Sequence, residues 1–184
     1  MGSVPPHWDE MRDPGRVQFE MPGWIACAPF EALCGLEIVE AEAGRAVLRM
    51  PFRVKLAQGG GLLHGGAITT LADTAVAMAI KSRVPPGSRF ATVELRTRFH
   101  APVRRGRVEA RARIVRWEGR DVEAEARVFD EEGRLVATFE GRFRMARDQG
   151  TRSADAGPGP GARRRPMTSG TARAEPAPPR PEEG

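Results

Sequence analysis

"GGGLLHGGAITTLADTAVAMAI", residues 59–80, decides how this chain folds. From residue 66 to 82 the pattern predicts one helix that is apolar on nearly every side, with Asp73 in its middle. "VPPGS" at 84–88 ends it, because proline has no amide to donate and clashes with the preceding turn. So apolar a helix cannot lie on a surface and must be wrapped by something.

The segments after it supply the wrapping. In "TVELRTRF" (92–99), Val93, Leu95, Thr97 and Phe99 share one face while Glu94, Arg96 and Arg98 share the other. "RVEARARIVR" (107–116), "DVEAEARVF" (121–129) and "LVATFEGRFRM" (135–145) alternate in the same way, and the connections "WEGR" and "DEEGR" are short and contain glycine. Alternation with period two predicts an antiparallel sheet with one buried and one wet face.

Upstream, "CAPFEALCGLEIVE" (27–40) reads as a short helix stopped by Gly35. Residues 36–52 read as a hairpin turned at "EAGR", and 53–65 as a glycine-rich loop. Together these predict an α+β domain over residues 21–147, in which about six antiparallel strands curve around one central helix: the outline of a hotdog. Residues 1–20 are expected to be a loose lead-in. From 148 to 184 Pro, Gly, Ala, Arg and Glu replace the large apolar residues, so a disordered tail is expected.

The composition narrows the function. The 184-residue chain has 40% apolar residues and a net charge of +5, with a sequence pI of about 10.4. No apolar run is long enough to cross a membrane and the first residues lack a secretory h-region, so a cytoplasmic location is expected. The basic excess is arginine interspersed with glutamate along strands, without a zinc finger, RNP-type motif or helix-turn-helix pattern, so nucleic acid is not the expected partner. Cys27 and Cys34, seven apart, fit neither a redox pair nor a zinc knuckle. His7, His64 and His100 are too scattered for a local metal motif, and no metal or redox cofactor is expected.

Asp73 needs a reason to exist, since an unpaired buried carboxylate costs on the order of several kcal/mol. Just upstream, "HGG" places Gly65 and Gly66 where the first unsatisfied helical N–H groups emerge, with no Cβ to keep a ligand away. A helix start of this kind binds an anion, or an oxyanion in a transition state. No G-x-S-x-G elbow and no Cys–His pairing competes as a nucleophile.

The stretches "QGGGLLHGGAITTLADTAVAMAI", "ATVELRTRFHAPVRRGRVEARARIVRWEGR" and "DEEGRLVATFEGRFR" resemble the PaaI-type acyl-CoA thioesterases of the hotdog superfamily over residues 25–146. The likeness includes H-G-G, an Asp nine residues after that His, and the later F-x-x-P, here "FHAP". It implies hydrolysis of an acyl or aryl-acyl CoA thioester to the free acid and CoA. Asp73 matches the acidic residue that activates water or attacks the thioester directly. The Gly65 N–H matches the donor that polarises the carbonyl, with Gly66 beside it, and His64 matches the histidine that supports this turn. Gln58 stands where many members have asparagine, and would hold the carbonyl or the water. Thr92 lies near a Ser/Thr position that some members contribute from the opposite subunit, while Ala77 stands where some relatives carry a hydroxyl. Arg104 and Arg105, in a turn, fit the nucleotide phosphates of the acyl-CoA substrate. The resemblance also implies a homodimer or homotetramer with its sites at the subunit interface. The residues leave two rivals: a hotdog that binds acyl-CoA without cleaving it, which Asp73 argues against, and a dehydratase or hydratase, for which an Asp–His pair is wanted.

Overall fold

The protein is described by a computed structural model, over residues 19–147. The expected lead-in, apart from its last two residues, and the expected tail lie outside the described residues. The elements in order are α1 (Pro29–Cys34), β1 (Glu37–Glu42), β2 (Arg45–Pro51), a 3-10 turn at Val54–Leu56, α2 (Gly65–Lys81), β3 (Phe90–Phe99), β4 (Arg107–Glu118), β5 (Asp121–Asp130) and β6 (Leu135–Met145). Pro29 opens α1, where its missing N–H costs nothing, and Gly35 closes it at φ 76°, with the Gly35 and Leu36 amides capping the carbonyls of Ala32 and Glu31.

All six strands form one antiparallel sheet in the order β1-β2-β4-β5-β6-β3, and α2 lies against its inner face. This is the hotdog arrangement expected from the alternation. Leu71, Ala72, Ala75, Val76, Ala79 and Ile80 of α2 are fully buried against Leu48, Met50, Val108, Val122, Val128 and Phe139 from the strands. Each large aliphatic side chain among them contributes about 1.5–3 kcal/mol by leaving water. The alanines at 46, 110, 112, 124, 126 and 137 are also buried, and their small side chains let the sheet approach the helix closely.

The C-terminal end of α2 is tied down. Ser82 accepts from the Gly44 N–H in the β1–β2 turn and donates to the Ala79 carbonyl. The Lys81 ammonium sits 4.9 Å over the Trp24 ring, whose indole N–H donates to the Lys81 carbonyl. No helix among the described residues is long and apolar enough to cross a membrane.

Two expectations need correction. The segment 53–65 is not plain loop: it holds the 3-10 turn and an antiparallel bridge from Ala57 to Leu63. In β3 the apolar face is not covered: Val93, Leu95 and Phe99 are 50%, 46% and 54% exposed. β3 is an edge strand that pairs only with β6, and a register shift between Thr92 and Glu94 turns it, so its alternation faces the border of the core.

Candidate active site

The α2 helix begins at a turn whose amides are nearly all taken. His64 is the N-cap: its N–H donates to the Leu56 carbonyl, and its carbonyl accepts from Ala67 and Ile68. Its ring Nδ1 accepts from the Gly66 N–H at 2.8 Å, which puts the neutral ring's proton on Nε2. Gly65 is thereby left as the one residue of this turn whose N–H has no partner among the described residues. A free amide at the positive end of a helix is a donor prepared for a developing oxyanion.

One face of α2 then runs along β3 in three steps. A Cβ at Gly65 would lie 3.1 Å from Cζ of Phe99, so the aromatic ring comes this close only because residue 65 is glycine. One turn on, the Thr69 hydroxyl donates to the Thr97 hydroxyl at 3.1 Å. A further turn on, Oδ1 of Asp73 accepts from the Thr92 hydroxyl at 3.1 Å. Asp73 is half-buried, and burial raises its pKa above the ordinary carboxylate range; the Thr92 hydrogen bond pulls it down, and the charge of Glu31 pushes it up. The result is a net rise, in the direction that suits a base working closer to neutrality.

The thioesterase superfamily model matches residues 60–137, which include the α2 start and Asp73. The proofreading thioesterase EntH of Klebsiella pneumoniae is 34% identical over 104 residues, spanning 56% of this chain and 76% of its own length. The chain belongs to the thioesterase superfamily. A single-site variant of the phenylacetic acid degradation protein PaaI from Thermus thermophilus superposes with a TM-score of 0.60 at 32% identity, covering 65% of this chain and all of its own. A thioesterase family protein from Silicibacter pomeroyi does so at 0.61 and 29%, covering 64% and 89%. With this sequence and fold, the protein is a thioester hydrolase of PaaI type.

In this thioesterase the expected residues fall into three places. His64, Gly65 and Gly66 form the helix start as expected, but the Gly66 amide is spent on the His64 ring. Gln58 lies in the turn before it, where its Oε1 accepts from the Gly60 N–H and its own N–H donates to the Leu62 carbonyl. Its side-chain oxygen is thus held by its own turn. Arg104 and Arg105 are exposed and border a cavity of about 470 Å³ with Pro102, Asp130 and Arg134. Their loop joins the site's framework directly, since the Val103 carbonyl accepts from Leu63, one residue before His64.

The Thr92 hydroxyl binds Asp73 of its own chain. The two rows that make this possible, one on α2 and one on β3, belong to elements joined by a short connection.

A second cavity, of about 330 Å³, opens beside the helix start between Phe30, Leu33 and Cys34 of α1 and Leu56, His64 and Gly66. Its walls are mainly apolar, suited to a hydrocarbon or aromatic group. Cys27 and Cys34 are free thiols, and burial raises the pKa of each, which makes them packing residues rather than nucleophiles. The residues that sequence reasoning missed are Thr97 and Glu31, together with the contact of Phe99 on Gly65. Nothing local in the sequence marks any of them.

Proposed function

We propose that this thioesterase hydrolyses acyl-CoA thioesters at a site shared between two copies of the chain, Asp73 coming from one and the Gly65 N–H from the other. The observation that carries this reading is the pairing of a free helix-start amide with a carboxylate on the same helix face. They cannot serve one carbonyl within one chain, because eight residues of helix separate them by about 12 Å along the axis. The exposed β3 edge supplies the means of joining: its outer backbone groups and the Val93, Leu95 and Phe99 side chains suit an antiparallel second β3. A homodimer formed in this way, or a tetramer of two such dimers, brings the α2 faces together at the seam.

The chemistry follows. The thioester oxygen accepts from the Gly65 N–H, which stabilises the charge that develops as water attacks the carbonyl carbon. Thr92 occupies Oδ1 of Asp73, so Oδ2 takes the proton from that water as general base. The tetrahedral intermediate collapses, the C–S bond breaks, and the CoA sulfur leaves with a proton delivered back from Asp73. The acyl group fits the apolar cavity beside His64, and the nucleotide phosphates fit Arg104 and Arg105. We place the activity in the cytoplasm, where the free thiols of Cys27 and Cys34 are stable.

The test is release of CoA from a panel of acyl-CoAs, read with a thiol-trapping dye, with Asp73→Asn alongside. The reading requires turnover by wild type and its loss in the variant while the ligand still binds. Equal release by both proteins removes Asp73 from the mechanism.

A further inference from the structure

The turn "DEEGR" (130–134) between β5 and β6 holds its last residue more firmly than a turn requires. Its backbone closes without that side chain, since the Gly133 N–H donates to the Asp130 carbonyl and the Asp130 N–H to the Arg134 carbonyl. Asp130 is nevertheless buried, with its side chain only 5% exposed, and both of its oxygens are turned onto Arg134. Oδ1 accepts from the Arg134 backbone N–H at 2.8 Å and Oδ2 from Nε at 2.9 Å. Nη2 of the same guanidinium donates to the Pro102 carbonyl at 3.1 Å, and Nη1 has no partner among the described residues. A guanidinium held at two places has given up its rotamer freedom before any ligand arrives, so its remaining N–H groups cost little to use.

The loop that Arg134 grips carries Arg104 and Arg105, and its backbone is pinned on both sides of them. The Pro102 carbonyl accepts from Arg134, the Val103 carbonyl from Leu63 and the Gly106 carbonyl from Phe52. The three arginines line one cavity of about 470 Å³, a size in the range of small-molecule sites. Two acids line it as well: Asp130, whose oxygens are both engaged, and the exposed Glu132. Cations gathered around a cleft with one uncommitted acid suit a ligand with several negative charges.

We propose that Arg134 is a substrate-binding residue that selects the carrier half of the thioester: its guanidinium, oriented by Asp130, binds a phosphate of the CoA nucleotide in the cavity it shares with Arg104 and Arg105. This rests on the acyl-CoA reading above and adds a selection to it. A thioester on a pantetheine arm alone presents the same carbonyl to Gly65 but makes no contact in this cavity, so the nucleotide raises kcat/KM by the strength of its phosphate contacts. Arginine suits the task better than lysine, because one planar fork can bond Asp130, the loop carbonyl and a phosphate oxygen at once.

Arg134→Met removes the guanidinium and keeps the backbone bonds of the turn, while Arg134→Lys keeps the charge without the fork. The first readout is calorimetric binding of adenosine 3′,5′-bisphosphate, which needs no turnover. The second is the ratio of kcat/KM for an acyl-CoA to that for the same acyl group on pantetheine; a general loss of folded protein lowers both values alike and leaves this ratio unchanged. The proposal expects bisphosphate binding to weaken about tenfold in Arg134→Met and to recover in part in Arg134→Lys, and the ratio to fall by a similar factor through KM. The 3′-dephospho form of the acyl-CoA identifies the phosphate: if Arg134→Met abolishes the preference for the 3′-phosphorylated substrate, Arg134 holds that group, and if the preference persists, Arg134 holds the diphosphate. An unchanged ratio, or bisphosphate binding that is absent or equal in wild type and Arg134→Met, overturns the proposal and leaves hydrolysis by Asp73 standing. Arg134-dependent bisphosphate binding in a chain that releases no CoA upholds the site and rejects the acyl-CoA hydrolysis reading.

Discussion

The Thr92 hydroxyl on β3 donates to Oδ1 of Asp73 on α2 at 3.1 Å, and this is the one hydrogen bond that favours the charged form of a carboxylate which burial otherwise discourages. Thr92→Val removes the donor at nearly constant volume. A hydrogen bond to a charged group is worth about 1.5–3 kcal/mol, so its loss moves the acid limb of kcat/KM to higher pH and leaves the rate on the alkaline plateau less affected. A pH–rate profile for wild type and variant checks this.

Replacing Asp73 by asparagine should lower kcat by about 10²–10⁴-fold, the usual contribution of a positioned general base. Stability should move the other way. The folded chain binds the Asp73 proton more tightly than the unfolded chain does, so the cost of charging Asp73 is absent below the unfolded pKa and grows as pH rises through the folded value. Denaturant melts of both proteins should therefore show Asp73→Asn gaining on wild type between acid and neutral pH. A constant difference across that range contradicts the buried-carboxylate account.

A general base and a nucleophile part ways in heavy water oxygen. In a single turnover in H₂¹⁸O, the base route places the label in the released acid alone. Direct attack by Asp73 on the carbonyl expels CoA and leaves a mixed anhydride, and water that opens it at the Asp73 carbonyl carbon leaves label in the Asp73 carboxyl, where peptide mass spectrometry would find it.

The approach of Phe99 to Gly65 makes a further prediction. Gly65→Ala places a Cβ 3.1 Å from the Phe99 ring, tighter than ordinary contact, so the ring or the helix start has to give by a few tenths of an ångström. Activity should fall although the N–H remains, and Phe99→Leu in the same chain should restore part of it. Steady-state kinetics of the single and double variants read this coupling directly.

Most of the architecture was written in simple periods. Strict alternation in the segments that became β4, β5 and β6 marked their buried faces, and the apolar run after "HGG" marked the helix they wrap. The same signal misled at β3, because Val93, Leu95 and Phe99 alternate like core residues while sheet order leaves them at an edge. Alternation reports which residues share a face, and only pairing decides what covers that face. At the site, His64, Gly65 and Asp73 were legible because a helix N-cap and an acid on an apolar helix are local features. Thr92 as a partner within the chain was not, since the strand crossing that aligns β3 with α2 is a property of the whole sheet. Glu31 was hidden for the same reason: it looks like an ordinary first-turn acid until α1 is docked.

The central claim is that Asp73 of one copy works with the Gly65 amide of another. Gly65→Pro, made with Phe99→Leu in the same chain to give its Cβ room, removes that N–H while suiting the first helical position, and the extended backbone of His64 at ψ 135° accepts a following proline. Mixing unfolded Gly65→Pro and Asp73→Asn chains in equal amounts and refolding them gives, by random pairing, half heterodimers with one intact site of two. The account predicts that two nearly inactive parents yield a mixture with about a quarter of wild-type activity. A mixture no more active than its parents, with heterodimers shown to be present, contradicts it.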